Sequence, residues 1–433
     1  MDHPFISKQD PEVAATIDGE EKREAEGLEL IPSENYVSRA VLEASGSIFT
    51  NKYSEGYPNA RYYGGQEFTD QVEQLAIDRA KKLFNCDHAN VQPLSGAAAN
   101  VAAYFAWLDP DDTVLGMDLG HGGHLTHGAP VTYMAKLFRF VRYKMKNPDT
   151  GEIDYDQLRE TAIKEKPKII LGGFSAYPRE LEWQRIADIA KEVGAVAMAD
   201  VAHIAGLIAG GVAKNPFDYG FQIVTTTTHK TLRGPRGGMI LSKGVVSSPL
   251  KAPEKTIENL PTLIDRTVFP GFQGGPHMHQ IAGKAVAFGE ALHPSFKVYA
   301  GQILKNAKAM EKVFLDNKIR LLTGGTSNHL LLADVFGSMG IEGKAAEGAL
   351  NDVGITLNKN AIADDTRPPF NPSGIRFGTP AITTRKFGEA ECARVAELMI
   401  ETLKGKDDQV LKDRVRAEIK TLAQKFPIPE SFV

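Results

Sequence analysis

Short, almost wholly apolar runs alternating with helical segments constrain this chain most. TVLGM (113–117), KIILGGF (168–174), AVAMAD (195–200), QIVTTTT (222–228) and GGMILS (237–242) are too short for buried helices and lack the polar alternation of a half-exposed strand. Between two of them lies the amphipathic segment WQRIADIAKEVG. Strands buried on both faces and separated by helices predict an α/β fold, a mostly parallel sheet covered by helices.

Flanking segments fill in the frame. The first 30 residues predict a helical arm. From Glu67, EFTDQVEQLAIDRAKKLF places Phe68, Val72, Leu75, Ala76, Arg79 and Leu83 on one helical face. GAAANVAAYFAWL predicts a buried helix that opens on the pair Ser95–Gly96. At 433 residues the chain exceeds one ordinary domain. The proline in ALHPSFKVY sets an expected boundary near Pro294, giving an arm over 1–30, a large domain over 31–293 and a smaller α+β domain over 294–433.

Composition excludes several classes. A net charge of −4 leaves no broad basic surface for nucleic acid or an anionic membrane. The most apolar stretch, AVAMADVAHIAGLIAG, falls short of the roughly 20 residues a span requires and is broken by Asp200 and His203. Two cysteines, Cys86 and Cys392, make no disulfide framework, and the polar, acidic N-terminus carries no signal-peptide pattern. A cytoplasmic location is expected.

Four elements carry chemistry. Asp200 ends an apolar strand, where an α/β sheet presents ligands, and a buried carboxylate there requires a cationic or hydrogen-bonding partner. It suits a protonated pyridine nitrogen, though capping the next turn is an equally good account of Asp200 alone. Thirty residues on, TTTTHKTLRGPRGG sets Lys230 at a strand end with Arg233 and Arg236 in a glycine-rich turn, a setting that favours the neutral amine needed for imine formation. A lysine in a basic surface loop is the commoner meaning, but four threonines and the glycines argue against it. LSGAAAN (94–100) offers free N–H groups at a helix start to a phosphate; by itself it is an ordinary cap. In LGHGGHLTHG (119–128), His121, His124 and His127 would suggest zinc on a helix; the glycines oppose a helix and favour a loop imidazole against a flat ligand, so no metal is expected.

With these elements in order, the chain resembles serine hydroxymethyltransferase, a fold-type-I pyridoxal-phosphate family. The matching strings are LELIPSENYVS, TNKYSEGYPNARYYGG, MDLGHGGHLTHG, GGFSAYPR, ADVAHIAGL, TTTTHKTLRGPRGG, FPGFQGGPHMH, AGKAVAF, GGTSNHLLLAD and SGIRFGTPA, running from about residue 28 to 385. The resemblance implies an aspartate-aminotransferase-like fold and reversible transfer of the L-serine hydroxymethyl group to tetrahydrofolate, giving glycine. It implies pyridoxal 5′-phosphate covalently held on Lys230, with Asp200 at the pyridine nitrogen, His124 stacked on the ring, and His203 and Ser175 on its O3′ side. Ser95, Gly96 and His229 would hold the phosphate together with Gly275 from a second subunit. Arg376 and Ser33 would grip the substrate carboxylate. Tyr53, Glu55 and Tyr63 would enter from the neighbouring subunit, with Glu55 handling a proton, while Leu119, Gly123 and Asn358 would line the folate pocket. A homodimer is therefore the least assembly expected, with a tetramer also open.

Five positions depart from the family pattern. Leu94, Ala97 and Ala98 stand where His, Ser and Gln are usual, which removes a hydroxyl from the phosphate seat. Pro32 replaces an alanine and Phe272 a glycine. Competing readings are a folate-independent β-hydroxy amino acid aldolase, a catalytically silent pyridoxal-phosphate protein and a histidine-cluster metalloprotein. YSEGY, GGH and the NKN around Asn358 favour the folate reading.

Overall fold

The computed structural model describes residues 4–245 and 253–433, so the first three residues of the expected arm lie outside it. The chain divides into two units: residues 37–301 with 430–433, and residues 1–36 with 302–429.

The larger unit is built on a seven-stranded sheet: β1 (His88–Asn90), β2 (Thr113–Met117), β3 (Arg139–Tyr143), β4 (Ile169–Gly173), β5 (Val196–Asp200), β6 (Ile223–Thr227) and β7 (Gly238–Ser242). Their spatial order is β1-β7-β6-β5-β4-β2-β3, with β7 antiparallel to both neighbours and the remaining pairs parallel. Every residue of β2, β4, β5, β6 and β7 is buried. That explains the unbroken apolar runs, because neither face meets water. Asp200 pairs with Gly173 on one side and Thr225 on the other, so the carboxyl ends of β4, β5 and β6 lie side by side.

Helices α1 (Glu67–Phe84), α2 (Gly96–Trp107), α3 (Trp183–Val193) and α4 (Met278–Ala291) belong to this unit. The face expected for α1 is shifted. Thr69, Glu73, Ala76, Ala80 and Phe84 are buried, whereas Phe68 and Leu75 are exposed. Apolar spacing misjudged the register because the helix buries a carboxylate. Glu73 pairs with Arg61 and accepts a hydrogen bond from Gln92, which offsets part of its desolvation. Helix α2 opens as expected, with the Ser95 hydroxyl capping the Ala98 N–H at 3.2 Å.

In the smaller unit, β8 (Leu330–Asp334), β9 (Asn358–Asn360) and β10 (Gly374–Gly378) form an antiparallel sheet in the order β8-β10-β9. The N-terminal segment, set apart by the sequence reading, is grouped here: Leu28–Glu29 pairs in parallel with Ile355–Thr356. Helix α5 (Pro294–Asp316) begins at the proline where the boundary was expected, and the division between units falls within it, after Gly301. Among the described residues no helix is long and apolar enough to cross a membrane.

Candidate functional site

The side-by-side strand ends of the larger unit position most of the expected cofactor residues. At the end of β5, Asp200 accepts hydrogen bonds at Oδ2 from Asn100 Nδ2 (2.8 Å) and His127 Nε2 (3.0 Å), and at Oδ1 from the Ala202 N–H (3.1 Å). Burial pushes a carboxyl's pKa up, but the bonds from His127 and Asn100 prevail and hold Asp200 well below the usual carboxylate range. It is an anion with its protein donors already in place.

The histidine loop explains how. It forms two short turns, Leu119–His121 and Leu125–His127, rather than a helix. Gly122 has φ +111°, and a Cβ there would lie 2.9 Å from the Tyr177 nitrogen, so only glycine fits without displacement. His127 Nδ1 accepts the His124 N–H at 3.2 Å, so the ring proton stands on Nε2 and points at Asp200. His124 Nδ1 in turn accepts from the Thr126 N–H and lies 2.8 Å from its hydroxyl. Ligand atoms of His124, His127 and Asp200 lie within 4.8 Å of one another. A cation there would have to break the His127–Asp200 bond, whereas that bond gives Asp200 a defined role without metal. His121 turns away, its Nδ1 accepting from the Met145 N–H.

Neither Asn100 nor His127 was singled out from sequence as a partner of Asp200. Asn100 also accepts from Thr225 Oγ1 (2.6 Å) and donates to Thr126 Oγ1, joining α2, β6 and the histidine loop. An asparagine inside an apolar helix was the available signal, since a buried amide requires partners.

After β6 and Thr228 come His229 and Lys230, and Lys230 is only 9% exposed. Burial, then the charges of Arg236, Lys230 and Lys284, drive His229 down to about 3, so it is neutral. Its Nδ1 faces the Gly237 N–H at 3.5 Å, leaving Nε2 as the protonated donor. Arg233 lays its guanidinium on the rings of Tyr299, Phe432 and Phe296. Ser175 donates to the Gly123 carbonyl at 2.9 Å, and His203 is buried with its carbonyl accepting from Thr231 Oγ1. Leu119 is 45% exposed on the first turn of the histidine loop.

In the string LSGAAAN, Leu94 is 44% exposed. Its N–H is taken by Gln273 Oε1 at 3.1 Å, while Gln273 Nε2 donates to the Gln92 carbonyl. Phe272 tilts against Phe105 of α2, with ring centres 4.8 Å apart.

A second group in this unit unites Tyr53, Glu55, Tyr63 and Gly275. Tyr63 donates to Glu55 Oε2 at 3.0 Å, and the two tyrosine rings meet edge to face. A Cβ on Gly275 would touch the Tyr53 ring at 3.3 Å. Tyr53 and Tyr63 are 61% and 48% exposed, which is unusual for packed aromatic residues.

The third group lies in the smaller unit. Arg376 on β10 pairs in register with Asn358 on β9 and donates Nε to its Oδ1 at 3.1 Å. Burial lowers Arg376 to about 10, so it stays charged at neutral pH. Ser33 follows Pro32, whose Cβ sits 2.9 Å from where a Gly378 Cβ would stand, beside the carboxyl end of β10.

The family model described as Serine hydroxymethyltransferase matches residues 6–399. A protein named Serine hydroxymethyltransferase from Acidobacterium capsulatum is 51% identical over 423 residues, 98% of this chain and 95% of that one. A protein of the same name from Koribacter versatilis is 50% identical over the same shares.

Proposed function

This chain belongs to the serine hydroxymethyltransferase family, and we propose that it reversibly transfers the hydroxymethyl group of L-serine to tetrahydrofolate, giving glycine and 5,10-methylenetetrahydrofolate. It is a fold-type-I pyridoxal-phosphate transferase of one-carbon metabolism. The observation that carries the residue assignment is Asp200: an anionic carboxylate with donors on both oxygens, at the end of β5 and paired with Thr225 of β6, the strand that runs into the loop of Lys230.

The residues fit the cofactor. Asp200 offers negative charge to a protonated pyridine nitrogen, His229 a neutral N–H to a phosphate, and Ser95 and Gly96 the start of helix α2. Lys230 would hold the cofactor covalently, His124 would cover one ring face, and His203 and Ser175 would contact its O3′ side. When bound, pyridoxal phosphate supplies an electron sink for charge left on the substrate's Cα. Arg376, oriented by Asn358 and assisted by Ser33, would fix the serine carboxylate and so the direction of the breaking Cα–Cβ bond. Glu55 would handle the proton at the serine hydroxyl, and Leu119, Gly123 and Asn358 would line the folate pocket.

We assign Tyr53, Glu55, Tyr63 and Gly275 to the site of a second copy of the chain. Their clustering with exposed aromatic rings supports a homodimer with shared sites. A tetramer of such dimers is compatible with the same cluster. We propose that the enzyme acts in the cytoplasm, a reducing compartment that suits its two free, buried cysteines, Cys86 and Cys392.

The deciding assay is serine cleavage with and without tetrahydrofolate. Stimulation by folate of at least about 100-fold is expected if positioning and proton handling depend on it; equal rates would make the chain a folate-independent aldolase. In the same assay, Arg376→Lys is expected to raise the KM for serine about 100-fold, because an ammonium cannot copy the planar two-point grip. An unchanged KM would remove Arg376 from the carboxylate site.

A further inference from the structure

Lys284 is a lysine inside the apolar helix α4, 2% exposed, in a string (AGKAVAF) to which the proposed reaction gives no task. Its ammonium donates to three backbone carbonyls: Val91 at 2.7 Å, Gly238 at 2.8 Å and Pro93 at 3.2 Å. Three donors meet three acceptors, so backbone dipoles satisfy the ammonium. Burial pulls its pKa down to about 7, with the Glu73 charge opposing.

The carbonyls are those of two segments that meet at the phosphate seat. Val91 and Pro93 lead from β1 to Ser95, and Gly238 opens β7 just beyond the turn that carries His229. The Gly238 N–H also donates to the Pro93 carbonyl at 3.0 Å. Contact is close throughout. A Cβ on Gly238 would lie 2.3 Å from the Ser95 carbonyl oxygen, and one on Gly237 2.4 Å from Lys284 Cε. Gly237 is the residue whose N–H faces His229.

We propose that Lys284 is a positioning residue for the cofactor's phosphate: it clamps together the segment that leads into the Ser95 turn and the segment that leaves the His229 turn. The inference rests on the proposed cofactor site and deepens it. It also bears on the departures at Leu94, Ala97 and Ala98. Where a hydroxyl and an amide are missing from the seat, backbone N–H groups must be aimed more rigidly, and Lys284 fixes the carbonyls on the same peptide segments.

The test compares pyridoxal 5′-phosphate with phosphate-free pyridoxal, titrated into the full-length apoprotein and followed by cofactor absorbance. For Lys284→Met, affinity for the phosphorylated form is expected to fall at least about tenfold while affinity for pyridoxal stays within about twofold. Equal binding of pyridoxal 5′-phosphate by wild type and variant overturns the proposal. So does parallel loss for both ligands, which marks a general packing role. If Lys284→Met does not fold, Gly237→Ala, which drives a methyl against Lys284 Cε, is read by the same two criteria. Failure of the wild-type protein to bind pyridoxal 5′-phosphate at all would instead sink the cofactor assignment.

Discussion

Lys230→Arg is expected to leave the protein folded, to abolish the pyridoxyl label trapped by borohydride, and to lower serine turnover by at least about 10³-fold. The argument is chemical before it is structural. Covalent attachment needs a neutral amine, and a guanidinium stays protonated at any working pH. Lys230 is 9% exposed at the end of the β6 segment, where the longer arginine retains the charge but loses the nucleophile. Folding should survive because the neighbouring Thr228 and Thr231 hydroxyls bond to backbone carbonyls of Pro235 and His203, independently of the Lys230 amine. Peptide mapping of wild-type protein after borohydride reduction makes the check direct. A reduced pyridoxyl group on any other lysine would overturn the site, and an arginine variant with wild-type turnover would do the same.

How much of this was legible in sequence differs by element. Strands of the central sheet could be read because they are buried on both faces, which turns a three-dimensional property into a run of apolar letters. Lys230 and Asp200 stood out in sequence through their place at strand ends, where an α/β sheet presents ligands, together with the threonines and glycines around Lys230. Pairings across the chain were not. His127 and Asn100 meet Asp200 from positions 73 and 100 residues away, and no spacing rule connects them. The burial of Glu73 was hidden because α1 compensates it through Arg61, which lies on a separate hairpin. Lys284 reads as a solvent-seeking lysine on an apolar helix until the carbonyls around it are known. The grouping of residues 1–36 with the C-terminal unit rests on contacts that no spacing announces: the short pairing of Leu28–Glu29 with Ile355–Thr356, Leu28 and Leu30 in that unit's core, and Arg385 donating to the Glu24, Ala25 and Gly27 carbonyls.

Asp200→Asn carries the second large effect, and the network around it says why an isosteric change is not mild. Both carboxylate oxygens are acceptors: Oδ2 for Asn100 and His127, Oδ1 for Ala202. An amide in either orientation sets an N–H donor against one of these donors. His127 cannot relieve the conflict by moving its proton, because Nδ1 already accepts the His124 N–H. The negative charge that would keep a pyridine nitrogen protonated disappears as well. Losing one partner of a buried charged pair costs about 3–5 kcal/mol, which corresponds to roughly 10²- to 10⁴-fold in rate. Turnover of the variant, measured with saturating cofactor, is therefore expected to fall within that range while Lys230 still takes up the borohydride label. Retained label with lost turnover separates Asp200 from Lys230. Turnover within tenfold of wild type would mean that Asp200 serves the protein's own hydrogen bonds, as a buried cap, and not the cofactor.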